Sequence, residues 1–171
     1  MKHYLAVILI STAFMTALVY AETPVSEQRL DNVAELGAKV MPFDLEKTVH
    51  IFSKTPTGGV QQVVVKDKND NAQIQLIREH LSKIADEFKR GDFSNPEKIH
   101  GRSMPGLAEL KKAKAGEITV DYQPLAEGGQ ITYSTQSSIL IIAIHQWFSA
   151  QLSDHARHAI EGHAAHTMHH Q

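Results

Sequence analysis

The feature that most constrains the fold is a pattern that occurs twice: two β-rich runs joined by a glycine turn, followed by a long helix. In the first copy, β-branched residues fill the runs 48–52 and 60–66, with Gly58-Gly59 between them. These runs predict a β-hairpin. Apolar residues then recur at helical spacing over 72–89, which predicts an amphipathic helix that buries one face.

The second copy has runs at 117–122 and 130–135 around Gly128-Gly129. A helix follows from Ser137 or Ser138, either of which can cap it, and is predicted to reach about residue 159. Two hairpins and two such helices pack most simply in two layers. We therefore predict an α+β fold: a four-stranded antiparallel sheet built from two β-hairpin–helix halves, with both long helices on one face.

The first 21 residues are typical of a secretory signal peptide. Lys2 precedes an apolar run that ends in Val19-Tyr20-Ala21, where small side chains allow cleavage after Ala21. A retained membrane anchor is the alternative interpretation. The predicted organisation is a signal peptide (1–21), an N-terminal helix with its lead-in (22–40), the α+β domain (41–155) and a His-rich C-terminal extension (156–171).

Composition excludes several classes of function. The chain has no cysteine, which removes disulfides, thiolate metal sites and thiol catalysis. Its 17 basic and 19 acidic residues are nearly balanced, whereas nucleic-acid binders usually carry a basic excess. Apart from the signal segment, no apolar run is long enough to span a membrane. With the signal peptide, these features predict a periplasmic protein. We expect it to bind no nucleic acid and to have no membrane span after signal cleavage.

Histidines concentrate at the C-terminus and predict metal binding. Six occur in the last 17 residues, and on an ideal helix they would fall within an arc of about 140°. Imidazole suits copper, nickel and zinc ions, so the predicted function is reversible binding of one of these metals. The predicted ligands are His155, His158, His163, His166, His169 and His170.

A second candidate metal site lies inside the predicted domain. His50 falls on a strand, and His80 and His145 lie beside the apolar stripes of the two long helices. If the two halves pack with pseudo-twofold symmetry, His80 and His145 approach each other. His100 and Met104 lie in the central loop, where the thioether would favour Cu(I) or a haem iron. The possible internal site is therefore His50, His80, His100, Met104 and His145.

Three other functions stay open. The alternative to metal binding is a non-catalytic binding or interaction module of the cell envelope with an unknown ligand or protein partner. Enzymatic catalysis has little support, because pairs such as Asp154-His155 have no nucleophile-elbow motif beside them. Histidine also titrates near pH 6.5, which makes acid sensing a further alternative.

Residues 41–155 also resemble a family of small exported bacterial proteins without an assigned activity. Some of its members have been labelled aspartate carbamoyltransferase, but Ser134-Thr135-Gln136-Ser137-Ser138 lacks the arginines with which that enzyme holds carbamoyl phosphate. The resemblance therefore implies an exported single domain and no catalytic role. The segments that carry it are Met-Pro-Phe-Asp-Leu (41–45), Gln-Ile-Gln-Leu-Ile-Arg-Glu-His-Leu (73–81), Gly-Asp-Phe-Ser (91–94), Ile-His-Gly (99–101), Met-Pro-Gly-Leu-Ala (104–108) and His-Gln-Trp-Phe-Ser-Ala-Gln-Leu-Ser-Asp-His (145–155).

Overall fold

A computed structural model describes residues 25–163 as a mixed sheet with helices packed against it. The helices are α1 (Glu27–Val40), α2 (Asn71–Lys89), α3 (Ser94–His100), α4 (Leu107–Lys112) and α5 (Ser138–Asp154), with a 3₁₀ turn at Leu45–Lys47. The strands are β1 (Thr48–Thr55), β2 (Gly58–Val65), β3 (Thr119–Leu125), β4 (Gly128–Ser134) and β5 (Ala159–Glu161).

The sheet confirms the α+β class and corrects the strand count. Its order is β3-β4-β2-β1-β5, so the two predicted hairpins pair through their second strands. All pairs among the first four strands are antiparallel, but β5 adds in parallel to β1, with Ile160 opposite Ile51. The predicted four-stranded antiparallel sheet is therefore a five-stranded mixed sheet. The sequence did not predict β5 because this strand has only three residues, which are too few for a periodic pattern, and they pair with β1 only after the chain has folded back.

Three of the helices begin at a residue whose side chain caps them. Ser26, Asp70 and Ser137 each accept a hydrogen bond from a backbone N–H in the first turn of α1, α2 and α5. α1 continues past Gly37 to Val40. The glycine is buried there, and a side chain at its position would meet the methyl group of Met41.

Both long helices pack on one face of the sheet. Leu81 of α2 packs over Gly129 of β4, and Phe148 of α5 packs over Gly59 of β2. The core between the layers is rich in aromatic side chains, with Trp147 buried at its centre. Among the residues described, no helix has both the length and the apolar character needed to cross a membrane.

The structure corrects the helix end and the helical arrangement of the C-terminal histidines. α5 ends at Asp154, so His155, His158 and His163 do not lie on one helix. β5 places part of the predicted C-terminal extension in the sheet, and Arg157 pairs with Glu27 and Asp31 of α1. His166, His169 and His170 lie outside the described residues, as does the predicted signal peptide.

Candidate functional site

A cavity between the sheet and the helices brings together four histidines from four different segments. His50 lies on β1, His80 on α2, His100 at the end of α3 and His155 directly after α5. The cavity has a volume of about 50 Å³. Its remaining lining is mostly apolar and aromatic, with the polar side chains of Gln61, Asn95 and Gln151 among it.

Three of these histidines form a row, which we call the histidine row: His50, His155 and His100. The ring of His155 lies in the middle, with its centroid 5.4 Å from that of His50 and 4.9 Å from that of His100. The first pair of rings is parallel within 3°, whereas the second pair meets at 85°. All three residues are buried, with exposed fractions of 4–5%.

His80 lies beyond the row and is separated from it by Phe43. The Phe43 ring centroid lies 5.8 Å from that of His50 and 5.6 Å from that of His80. Phe43 enters the cavity from the segment that follows α1. His80 is therefore a fourth imidazole of the same cavity rather than a member of the histidine row.

The nitrogens of the cavity imidazoles have few partners. His50 Nδ1 is buried and has no hydrogen-bond partner, and the same is true of Trp147 Nε1. No hydrogen bond contributes to the lowered pKa of His80 or of His155. Buried polar atoms are normally paired, so the unpaired Nδ1 of His50 beside a cavity indicates a place for a ligand.

Burial keeps three of the imidazoles neutral at pH 7. It lowers the pKa of His50 to about 4, assisted by the neighbouring histidines, and lowers the pKa of His80 to about 4, assisted by Lys83. Burial also places the pKa of His155 well below its usual value, and His50 and His100 add to the effect. A neutral imidazole has a free lone pair, which is the form that binds a metal ion.

His100 is oriented by a carboxylate that an arginine holds in place. Its Nδ1 donates to Asp154 Oδ2 at 2.7 Å, and Arg29 Nε donates to Asp154 Oδ1 at 3.1 Å. Arg29 Nη2 also donates to the backbone oxygen of His100 at 2.9 Å. Burial by itself raises the pKa of Asp154, but the hydrogen bonds from His100 and Arg29 outweigh it and lower the pKa to about 2.

The structure brings together only part of the predicted internal site. His50, His80 and His100 share the cavity, but His145 lies elsewhere: its Nε2 donates to the backbone oxygens of Thr55 and Gly58. The expected approach of His80 and His145 is therefore wrong, because α5 directs His145 at the β1–β2 turn. Met104 is buried on another side of His100, in a cleft with Arg29 and Asp154.

Of the predicted C-terminal ligands that the structure describes, one lies in the cavity and two lie outside it. His155 belongs to the cavity, whereas His158 Nε2 donates to the Glu46 carboxylate at 2.7 Å. The backbone oxygen of His158 accepts from His50 N at 2.8 Å, which ties this segment to β1. His163 is exposed. Sequence reasoning grouped His155 with the C-terminal histidines rather than with His50 and His100, gave Met41, Phe43 and Arg29 no role in a site, and considered Asp154 only as a catalytic partner of His155.

Within residues 25–163, no three histidine, aspartate or glutamate side chains already stand in the positions of a metal ion's ligands. The rings of His50 and His155 would have to turn before they could share an ion with His100. No family model, no curated protein and no solved structure matches this chain. Function is therefore inferred from the geometry and chemistry of the cavity.

Proposed function

We propose that this protein binds a transition-metal ion reversibly in the histidine cavity, as an exported protein of the periplasm. The observation that carries the proposal is the position of His155, whose ring lies between those of His50 and His100 at centroid distances of 5.4 and 4.9 Å. Imidazoles suit copper, nickel and zinc, the metals that the sequence predicts.

The size of the cavity supports an ion over an organic ligand. Pockets for drug-sized molecules and cofactors usually measure about 300–1,000 Å³. The cavity here measures about 50 Å³, which accommodates an ion with a few waters but neither a haem nor a metabolite. A haem group therefore does not fit into the histidine cavity in this conformation.

The surroundings of His100 support the same proposal. Because the Asp154 carboxylate accepts a hydrogen bond from Nδ1, the neutral ring carries its proton there and keeps the lone pair on Nε2. Histidines that bind metals commonly donate their other ring N–H to a carboxylate in this way. Arg29 fixes the carboxylate, so the orientation of the ring is set before an ion arrives.

The need for the rings to turn makes the binding reversible. A rigid cage would hold its ion tightly, whereas imidazoles that reorient lose part of the binding energy to that reorganisation. Protons compete as well, since a protonated imidazole does not bind a metal. Both effects suit a protein that takes up and releases an ion, as in buffering or delivery.

The test is a titration of the tag-free mature chain with Zn²⁺, Ni²⁺ and Cu²⁺ at pH 7, repeated for His155→Gln and His50→Gln. Loss of one ligand is expected to weaken binding by about tenfold or more. His145→Gln is the matched control, because its ring contacts the β1–β2 turn outside the cavity. Circular dichroism checks that each variant is folded.

A chain that ends after His163 separates the cavity from the C-terminal histidines. It lacks His166, His169 and His170 but keeps β5 and all four cavity imidazoles. The proposal expects this chain to bind the metal as tightly as the full protein. If the truncation abolishes binding while His155→Gln and His50→Gln leave it unchanged, the ion binds to the C-terminal segment and the cavity proposal is wrong.

One observation favours a second candidate, a binding module for an envelope partner. Ile139 and Ile142 on α5 are 67% and 56% exposed, which is unusual for large apolar side chains on neighbouring helical turns. A mature protein that binds neither Zn²⁺, Ni²⁺ nor copper in either oxidation state would favour this function over metal binding.

A further inference from the structure

The histidine cavity also contains a sulfur donor. Met41 follows α1 directly, and its buried side chain lines the cavity together with His50 and His80. The segment alternates, with Met41 and Phe43 buried and Pro42 exposed between them. Since Phe43 contacts both His50 and His80, this short segment brings an aromatic ring to the imidazoles and a thioether to the wall of the same cavity.

The cavity offers no negative charge to a cation. None of the described residues that line it is acidic. The carboxylate behind His100, that of Asp154, is already paired with Arg29. An ion bound here keeps its full charge in surroundings of low polarity. The free energy needed to move an ion out of water rises with the square of its charge. For a monovalent ion it is therefore about a quarter of that for a divalent ion of the same size.

We infer that the ion taken by the histidine cavity is copper in its monovalent state, Cu(I), with the Met41 thioether as a ligand beside the histidine row. This inference rests on the proposed metal-binding function and narrows it to one ion. Thioether sulfur is a soft ligand that selects Cu(I) over the borderline ions Zn²⁺ and Ni²⁺. Cu(I) also accepts few ligands, which suits a cavity without a preformed set of three.

The test compares Met41→Leu with Met104→Leu in the mature chain. Leucine nearly matches methionine in volume but lacks the sulfur. Met104 is the control because it is also buried and close to His100, yet lines a different cleft. Cu(I) affinity is measured without oxygen, by competition with a coloured Cu(I) chelator in the presence of a reductant. Zn²⁺ affinity is measured by competition with a coloured zinc chelator.

The expected result is selective. Met41→Leu should weaken Cu(I) binding by about tenfold or more and change Zn²⁺ binding by less than about threefold, whereas Met104→Leu should change neither. X-ray absorption at the copper edge gives an independent measurement. The loaded wild-type protein should show sulfur as well as nitrogen around copper, and the sulfur signal should disappear in Met41→Leu.

Failure of this inference is distinguishable from failure of the proposed function. The assignment of Cu(I) and Met41 is wrong if copper shows nitrogen neighbours only, or if Met41→Leu binds Cu(I) as tightly as the wild type. The proposed function survives that outcome as long as His155→Gln and His50→Gln still lose metal. A wild-type protein that binds none of Cu(I), Cu²⁺, Ni²⁺ and Zn²⁺ overturns both.

Discussion

At the scale of single residues, the contacts among Arg29, Asp154 and His100 are the most informative in the molecule. They join α1 to the end of α5 and to the end of α3, and the Asp154 side chain is only 12% exposed. Hydrogen bonds between charged partners are stronger than neutral ones, and burial removes competition from water. These contacts therefore do more than join helices, because they determine which nitrogen of His100 faces away from the carboxylate.

Replacing Asp154 by Asn tests this positioning role. Asparagine keeps the shape but loses the charge that Arg29 and His100 share. Metal affinity is expected to fall by about 10–100-fold, the usual effect of losing such a supporting contact. Nitrogen NMR of the metal-free protein should show His100 protonated on Nδ1 in the wild type and a mixture of tautomers in the variant.

The control for this experiment is Asp86→Asn, which removes an exposed carboxylate that pairs with Lys89 at 3.4 Å. Exposed pairs of this kind contribute little. It should leave metal affinity and the His100 spectrum unchanged. A positioning role for Asp154 is contradicted if Asp154→Asn is folded, binds metal like the wild type and keeps the same tautomer.

At the scale of elements, the distance between α5 and the sheet depends on a glycine. Gly59 of β2 lies directly beneath Phe148, and a side-chain carbon at its position would come within 2.4 Å of the Phe148 ring. Phe148 is fully buried and contacts Phe52 and Tyr133 on the sheet as well as Trp147 beside it on α5. The ring therefore has little room to yield, and a larger residue at 59 would push the helix away from β2.

Gly59→Ala is expected to destabilise the fold by about 1–3 kcal/mol, as overpacking of a filled core does. Gly129→Ala is the matched comparison in the other half of the sheet. There the nearest atom is the flexible end of Leu81 at 3.0 Å, so the loss should be smaller. Urea unfolding of both variants measures the difference, and equal losses would show that α5 is not held rigidly over β2.

Most of the helices and strands could be predicted from the sequence, but α3 and β5 could not. Periodicity and capping residues predicted both hairpins, the two long helices and their placement on one face. α3 was not predicted, because Ser94, Asn95 and Pro96 are typical of a loop, although proline is tolerated in the first helical turn. β5 was not predicted either, because its pairing with β1 depends on where the chain lies after α5.

At the scale of the whole molecule, the histidine cavity exists because distant segments meet. The sequence indicated His50, His80 and His100, together with Met104 and His145, as one candidate set from their residue type and their places in the predicted elements. It assigned His155 to a different set, because the turn that follows α5 and brings this residue back over the core has no local signature. Met41 carries no signal of its own, since a buried methionine is usually part of a core.

Because these histidines are buried together, the stability of the metal-free protein should depend on pH. His50 lies near enough to His80, His100, His155 and His158 for their charges to act on it, while Lys83 lies near His80 and Asp154 near His155. In the unfolded chain a histidine takes up a proton below about pH 6.5, whereas His50 and His80 in the folded protein do so only near pH 4. Between these two values the unfolded state binds more protons, so stability falls as the pH falls.

The free energy of unfolding of the metal-free protein should therefore decrease steadily from about pH 6.5 to pH 4. The lowering of the pKa of His50 from 6.5 to about 4 alone corresponds to roughly 3 kcal/mol. His50→Gln should make this dependence shallower, because glutamine does not titrate while His80 and His155 still do, whereas the exposed control His163→Gln should follow the wild-type curve. Urea unfolding at several pH values, with a chelator present, measures both. If the wild type is equally stable at pH 7 and pH 4.5, the cavity imidazoles are not held neutral in the folded state, and they do not meet an incoming ion with free lone pairs.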